Sequence, residues 1–164
     1  MNLNRKFPLT RLRRTRSKPG LRSMVAEVNL SVDDLIQPIF IKENLTGSEN
    51  IDSMPEIKRF GLDVLNKEID ELVSLGIKSV AVFPVIEESK KDAAGLEALN
   101  ENNFLSKAIK QIKESFPELI VIVDVALDPY TTHGHDGVLD SNDDVDNDAS
   151  LLTLKEQALV LAKA

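Results

Sequence analysis

The 164-residue chain contains no cysteine. That excludes a disulfide framework, a zinc–thiolate centre and a thiol nucleophile. It fits a reducing compartment, so cytoplasm, or an organelle lumen in a eukaryote, is the expected location. No apolar run approaches the roughly 20 residues that cross a bilayer, and the opening MNLNRKFPLT lacks the apolar core of a secretory signal. Neither export nor membrane spanning is expected, and the sequons at Asn29 and Asn44 read as chance matches. There is no Walker loop, no GxGxxG turn and no GxSxG elbow. Acid is missing from residues 1–22, which hold eight Lys or Arg, while the remainder carries all 27 Asp and Glu against 12 Lys and Arg. A basic arm on an acidic body suits nucleic acid, a transit peptide or a neighbouring subunit. With Phe7 as its only aromatic residue the arm has no base-stacking pattern, so subunit contact is favoured and no nucleic-acid partner is expected.

What is present is a globular composition, 42% hydrophobic and 29% charged, enough for one domain with a core. We place the arm at 1–32 and the domain at 33–164. Residues 34–41 (DLIQPIFI) suit a first strand made irregular by Pro38, and residues 42–60 read as a long connection. Leu65, Ile69, Leu72 and Val73 recur at helical spacing, with Gly76 placed to close the helix. Residues 77–85 form a β-rich run, and residues 87–103 read as a loop. A second helix follows, capped by Asn102 or Asn103 and closed by Pro117. The run LIVIV, continuing to Leu127, lacks the alternation of a half-exposed strand and is expected to be covered on both faces. A loop over 128–150 and a last helix over 151–164 complete the order.

Repeated β–α units imply parallel strands, in either a doubly wound sheet or a (β/α)8 barrel. Three such strands leave open edges, and the last helix reaches Ala164 without a cap, so the unit reads as unfinished.

The chemistry is concentrated in residues 124–137, DVALDPYTTHGHDG, with three aspartates, both histidines and the only tyrosine of the chain. Asp124 directly follows the apolar strand, and parallel α/β folds gather their active sites at the C-terminal strand ends. A carboxylate there is either catalytic or a buried group satisfied by amides or an arginine. Asp128, Asp136 and His135, with His133, offer oxygen and imidazole donors that could enclose a divalent ion, oxygen favouring magnesium or manganese and histidines alone zinc or iron. They equally suit a solvated loop in which one side chain caps the next helix. The run Asp140-x-Asn142-x-Asp144 is no EF-hand, because Val145 stands where Gly is needed and Leu151 where Glu belongs. Lys42, at the end of the first strand, is the one lysine placed like a Schiff-base residue, although a surface role suits it better.

Residues 124–137 resemble the metal-region signature of the 5-aminolevulinate dehydratases (porphobilinogen synthases). The likeness extends through Arg11-Leu-Arg-Arg-Thr15, Leu21-Arg-Ser-Met24, Asp33-Asp-Leu-Ile-Gln-Pro-Ile-Phe40, Ser53-Met-Pro55 and Gly76-Ile-Lys-Ser-Val-Ala-Val-Phe-Pro-Val85. This resemblance implies the N-terminal half of a (β/α)8 TIM barrel: three β/α units behind an arm that embraces a neighbouring subunit, commonly in a homo-octamer. It implies condensation of two 5-aminolevulinate molecules to porphobilinogen for tetrapyrrole (heme) synthesis, through two Schiff-base lysines that act as electron sinks. Asp124 matches the family's aspartate near those lysines, and Phe83 an aromatic residue near substrate. Zinc-dependent relatives carry cysteines at the positions of Ala126, Asp128 and Asp136, so the resemblance implies Mg2+ rather than cysteine-bound Zn2+. Leu96 and Leu99 depart from the family's usual Ser and Tyr. The two lysines belong to a second half absent from these residues, so the 164-residue chain is expected to be inactive alone. The alternative is a non-catalytic half barrel that binds metal or joins subunits.

Overall fold

The computed structural model describes Lys6, Pro8 and residues 10–164, in two compact units, one ending at Ser31 and the other spanning Val32–Ala164. Arg5 and Phe7 of the basic arm lie outside the described residues. In the first unit a 3-10 turn at Arg14–Arg16 precedes helix α1, Pro19–Met24, whose first turn is favoured by proline at its N-terminus.

The second unit is built on a five-stranded mixed sheet ordered β2-β3-β1-β4-β5. The strands are β1 (Gln37–Lys42), β2 (Ser48–Ile51), β3 (Met54–Phe60), β4 (Ser79–Val85) and β5 (Ile120–Val123). Strands β3, β1, β4 and β5 run parallel, and β2 pairs antiparallel with β3. The hairpin β2–β3 corrects the expectation of a long connection over 42–60, and with it the expectation that the strands are all parallel. Its turn is Asp52–Ser53, between polar strands whose side chains hide the pattern. Strand β1 begins three residues later than expected, because Val32–Asp34 forms a 3-10 turn. Pro38 is accommodated because β3 pairs with β1 only at Phe40 and Ile41, so no ladder bond is demanded on that side of the proline.

Helices α2 (Leu62–Ser74), α3 (Phe104–Ser115) and α4 (Asn147–Lys163) follow β3, β4 and β5. Gly76 takes φ 88 at the end of α2, the left-handed position that glycine fills without strain, and the Ile77 amide bonds back to the Leu72 carbonyl. Asn103 caps α3 by accepting the Ser106 amide at 2.7 Å, and Asp146 caps α4 by accepting the Ala149 amide at 3.0 Å. Leu65 and Ile69 of α2 join Leu105, Ala108 and Ile112 of α3 against Ile39, Ile41, Val80 and Val82 in one core. Each such large side chain contributes about 1.5–3 kcal/mol by burial.

Only one face of the sheet is covered in this way. In β5, Val121 and Val123 pack on the core, while Ile120 and Ile122 are 59% and 38% exposed. That corrects the expectation of a strand buried on both faces: every residue of the run is apolar, yet no second layer among the described residues lies over the Ile120–Ile122 face. No helix among the described residues is long and apolar enough to cross a membrane.

Candidate active site

The pleat decides which side chains share the open face. Register pairs Phe40 with Arg59 on one side and with Phe83 on the other, and Glu49 with Arg59. The β4–β5 register ends at Val82 and Val123, so Phe83 and Asp124 follow side by side. Glu49, Arg59, Phe40, Phe83 and Asp124 therefore form one row across the sheet. The Phe40 and Phe83 rings stack at 5.5 Å between centroids, 30° apart. Above the row, at the C-terminal ends of β1, β4 and β5, opens a cleft of about 350 Å³ lined by Phe40, Arg59, Phe83, Asp124, Asp128 and Tyr130 among others. A larger hollow of about 570 Å³ lies at the opposite strand ends, bounded by Val73, Gly76, Phe116 and Ile120, and brings together no catalytic set.

At one end of the row, Lys42 Nζ donates to Glu49 Oε1 and Oε2 at 2.9 and 3.0 Å, and Arg59 reaches Glu49 at 3.3 Å. The Lys42 bond, assisted by Arg59, holds the Glu49 carboxyl below its ordinary value. Lys42 is thus committed to an ion pair, and no lysine lines the cleft among the described residues.

At the other end are the acids. Burial first, and then the nearby charges of Asp136 and Asp124, push the Asp128 carboxyl above its ordinary value. Asp136 Oδ1 accepts the Leu127 amide at 2.6 Å. The imidazole of His135 lies 5.5 Å from that of His133, whose Nδ1 accepts the His135 amide at 3.1 Å and whose Nε2 is 3.0 Å from the Ala93 carbonyl oxygen. The loop therefore brings Asp124 and Asp136 within electrostatic reach of Asp128 and places His135 with His133. Among the described residues no group of three or more His, Asp or Glu is arranged to hold a metal ion. The pair Asp128 and Asp136 supplies the hard oxygen donors that magnesium takes, but too few of them, so the donor set as arranged does not fit the ion.

Tyr130 is 1% exposed, and burial, with smaller contributions from Glu97 and Glu43, raises its hydroxyl well above the usual phenol range. Sequence reasoning missed Arg59 and Glu49, which become neighbours of the site through the hairpin. The signal was slight: the turn-forming Asp52–Ser53 between Ile51 and Met54. It also missed Gln157, a polar residue inside an apolar helical pattern, 1% exposed and bonded through Nε2 to the Ala126 carbonyl at 2.8 Å.

Comparison with known proteins agrees over nearly all of the chain. The family model for delta-aminolevulinic acid dehydratase matches residues 9–164. The Helicobacter pylori delta-aminolevulinic acid dehydratase is 44% identical over 155 residues, 94% of this chain and 47% of the relative. The Bacillus subtilis protein of that name is 44% identical over 154 residues, again 94% and 47%. A crystal structure of delta-aminolevulinic acid dehydratase (porphobilinogen synthase) from Toxoplasma gondii, in complex with the reaction product porphobilinogen, superposes with a TM-score of 0.90 at 37% identity, covering 94% of this chain and 44% of that one. The chain spans about half the length of the curated relatives it matches. With the family's motif at the strand-end cleft and a match from the arm to the last helix, this chain belongs to the delta-aminolevulinic acid dehydratase family.

Proposed function

We propose that this chain supplies the N-terminal half of a (β/α)8-barrel porphobilinogen synthase, a hydro-lyase that condenses two molecules of 5-aminolevulinate to porphobilinogen in tetrapyrrole synthesis. The observation that carries the proposal is the row ending at Phe83 and Asp124 beneath a strand-end cleft, in a chain that matches the family over nearly its whole length. In this reading β1, β4 and β5 with α2, α3 and α4 are the first three β/α units, and the bare Ile120–Ile122 face is turned to the barrel interior.

Asp124 meets the substrate at the cleft. Its carboxylate holds the ammonium group of 5-aminolevulinate by charge, and, once that amine is deprotonated, serves as a nearby proton acceptor and donor. The stacked Phe40 and Phe83 present an apolar wall that keeps water from the reacting carbons. The Schiff-base lysines come from outside these residues, since Lys42 is bound to Glu49 and no lysine among the described residues lines the cleft. The chain alone therefore makes no porphobilinogen. Unit one, basic up to Arg22 and with Leu12, Met24, Val28 and Leu30 78–85% exposed, suits packing on a second subunit, as in a homo-octamer. A divalent cation such as Mg2+ at Asp128, Asp136 and His135 needs donors beyond the carboxylate pair, and no step of the reaction is assigned to it. A non-catalytic module is not favoured, because residues 9–164 match the family of the enzyme.

The test is a chimera joining residues 1–164 to the C-terminal half of the Bacillus subtilis relative, assayed for colour formation by porphobilinogen after incubation with 5-aminolevulinate. The chimera is expected to turn over, and Asp124→Asn to lower kcat by about 10²-fold or more. A folded chimera without product, or one indifferent to Asp124→Asn, overturns the proposal.

A further inference from the structure

Two polar contacts in the aspartate loop converge on a single peptide group. Asp136 Oδ1 accepts the Leu127 N–H at 2.6 Å, and Gln157 Nε2 donates to the Ala126 carbonyl at 2.8 Å. That carbonyl and that N–H belong to the same peptide bond, and in a trans peptide they point in opposite directions. The 126–127 peptide is thus gripped from both sides, by a residue nine positions downstream and by one 31 positions downstream on α4. The next carbonyl, of Leu127, accepts the Tyr130 and Thr131 amides at 2.8 and 3.0 Å, and the Leu127 side chain is fully buried. Asp124 and Asp128 flank this locked segment, and both line the cleft.

We infer that Asp136 and Gln157 are positioning residues that clamp the 126–127 peptide and so set the separation and aim of Asp124 and Asp128. Rotation of that peptide breaks both bonds at once and leaves a buried amide side chain without its acceptor, so the loop has one favoured arrangement. Asp136 commits Oδ1 to the Leu127 amide, so its carboxylate acts first as a strut of the loop. The consequence for turnover rests on the porphobilinogen synthase reading; the clamp itself does not.

The clamp is read in the full 164-residue chain by amide hydrogen exchange in 15N-resolved NMR. The Leu127 amide is expected to be protected. In Asp136→Ala it exchanges at least about tenfold faster while the Val80 and Val82 amides keep their rates, and Asp136→Asn, which retains an acceptor oxygen, keeps the protection. Gln157→Leu speeds Leu127 exchange in the same local way. Addition of 10 mM MgCl2 leaves the wild-type Leu127 resonance in place. A wild-type Leu127 amide that exchanges like an exposed one overturns the inference, as does a magnesium-induced shift that Asp136→Ala abolishes. Should Asp136→Ala not fold, Asp136→Asn and the magnesium titration decide. In the active chimera, Asp136→Ala and Gln157→Leu are expected to lower kcat about tenfold with KM within twofold, and Asp136→Asn to restore it; equal loss in Asp136→Asn counts against a positioning role. A wild-type chimera that makes no porphobilinogen while Leu127 is protected removes the functional reading and leaves the clamp standing.

Discussion

Replacing Gly61 by alanine tests the packing at the junction of β3 and α2 with one methyl group. The added Cβ falls 2.0 Å from the Leu45 carbonyl oxygen and 2.5 Å from Asp63 Oδ1, where contacts under 3.0 Å are essentially unknown. Gly61 has φ −75, a value open to any residue, so the effect is one of space rather than of backbone strain. To gain the missing ångström the turn over 45–47 must move away from the helix start. That turn is tied by the Gly61 amide to the Gly47 carbonyl at 2.8 Å and by the Gly47 amide to both Asp63 carboxylate oxygens at 3.0 and 3.1 Å. A neutral bond of this kind contributes about 1 kcal/mol and a charge-assisted one about 1.5–3. Overpacking by itself costs about 1–3 kcal/mol, and because the two descriptions overlap the expected loss is about 2–4 kcal/mol. Against a stability of about 5–15 kcal/mol for a domain, this is readily measured. Urea unfolding followed by circular dichroism should show a lower midpoint at unchanged slope. Gly20→Ala is the control, since nothing lies within 4 Å of its added Cβ and its place in α1 favours alanine. A Gly61→Ala protein within about 0.5 kcal/mol of the parent would refute the steric argument.

The two helix caps should differ in cost. Asn103→Ala leaves the fully buried Ser106 without its amide acceptor and should lose about 2 kcal/mol, whereas Asp146→Ala, at an exposed cap, should lose about 1; equal shifts in thermal melts would show that burial of the cap is irrelevant. Glu49 provides a pH test. Its carboxyl is held below 4.5 by the Lys42 bond, so the folded state binds its proton less tightly than the unfolded chain does. The resulting stabilisation is present above 4.5 and is lost as pH falls through the lowered value. Glu49→Gln should therefore be less stable than the parent at neutral pH, with a gap that narrows on acidification; a gap independent of pH contradicts the ion-pair account.

Helices α2 and α3 were legible because each carries a 3.6-residue apolar period with an end signal in the chain, Leu65 and Ile69 ending at Gly76 and Phe104 to Ile112 opening at Asn103, whereas α4 begins at Asn147, four residues before the expected start. Strands β4 and β5 were legible as apolar runs. The hairpin was not, because Glu49, Asn50, Glu56 and Lys58 make β2 and β3 look like loop, and what makes β3 a strand is its pairing with β1 and β2 across a distance in sequence. The chemistry of residues 124–137 was readable as a concentration of carboxylates and imidazoles, but composition does not say which atoms meet. Folding paired His135 with His133 and turned Asp136 onto the Leu127 amide.

By itself, then, the sequence determined the family, the alternation of strand and helix, the exclusion of thiol chemistry and the placing of Asp124 at a strand end, because these depend on residue identity and local periodicity. Tertiary structure alone decided that Arg59 and Glu49 share a row with Phe83, that Lys42 is spent on an ion pair, and that one peptide of the aspartate loop is held by Asp136 and Gln157. Those facts depend on register and on contacts between residues distant in the chain, which a hydrophobic pattern does not encode.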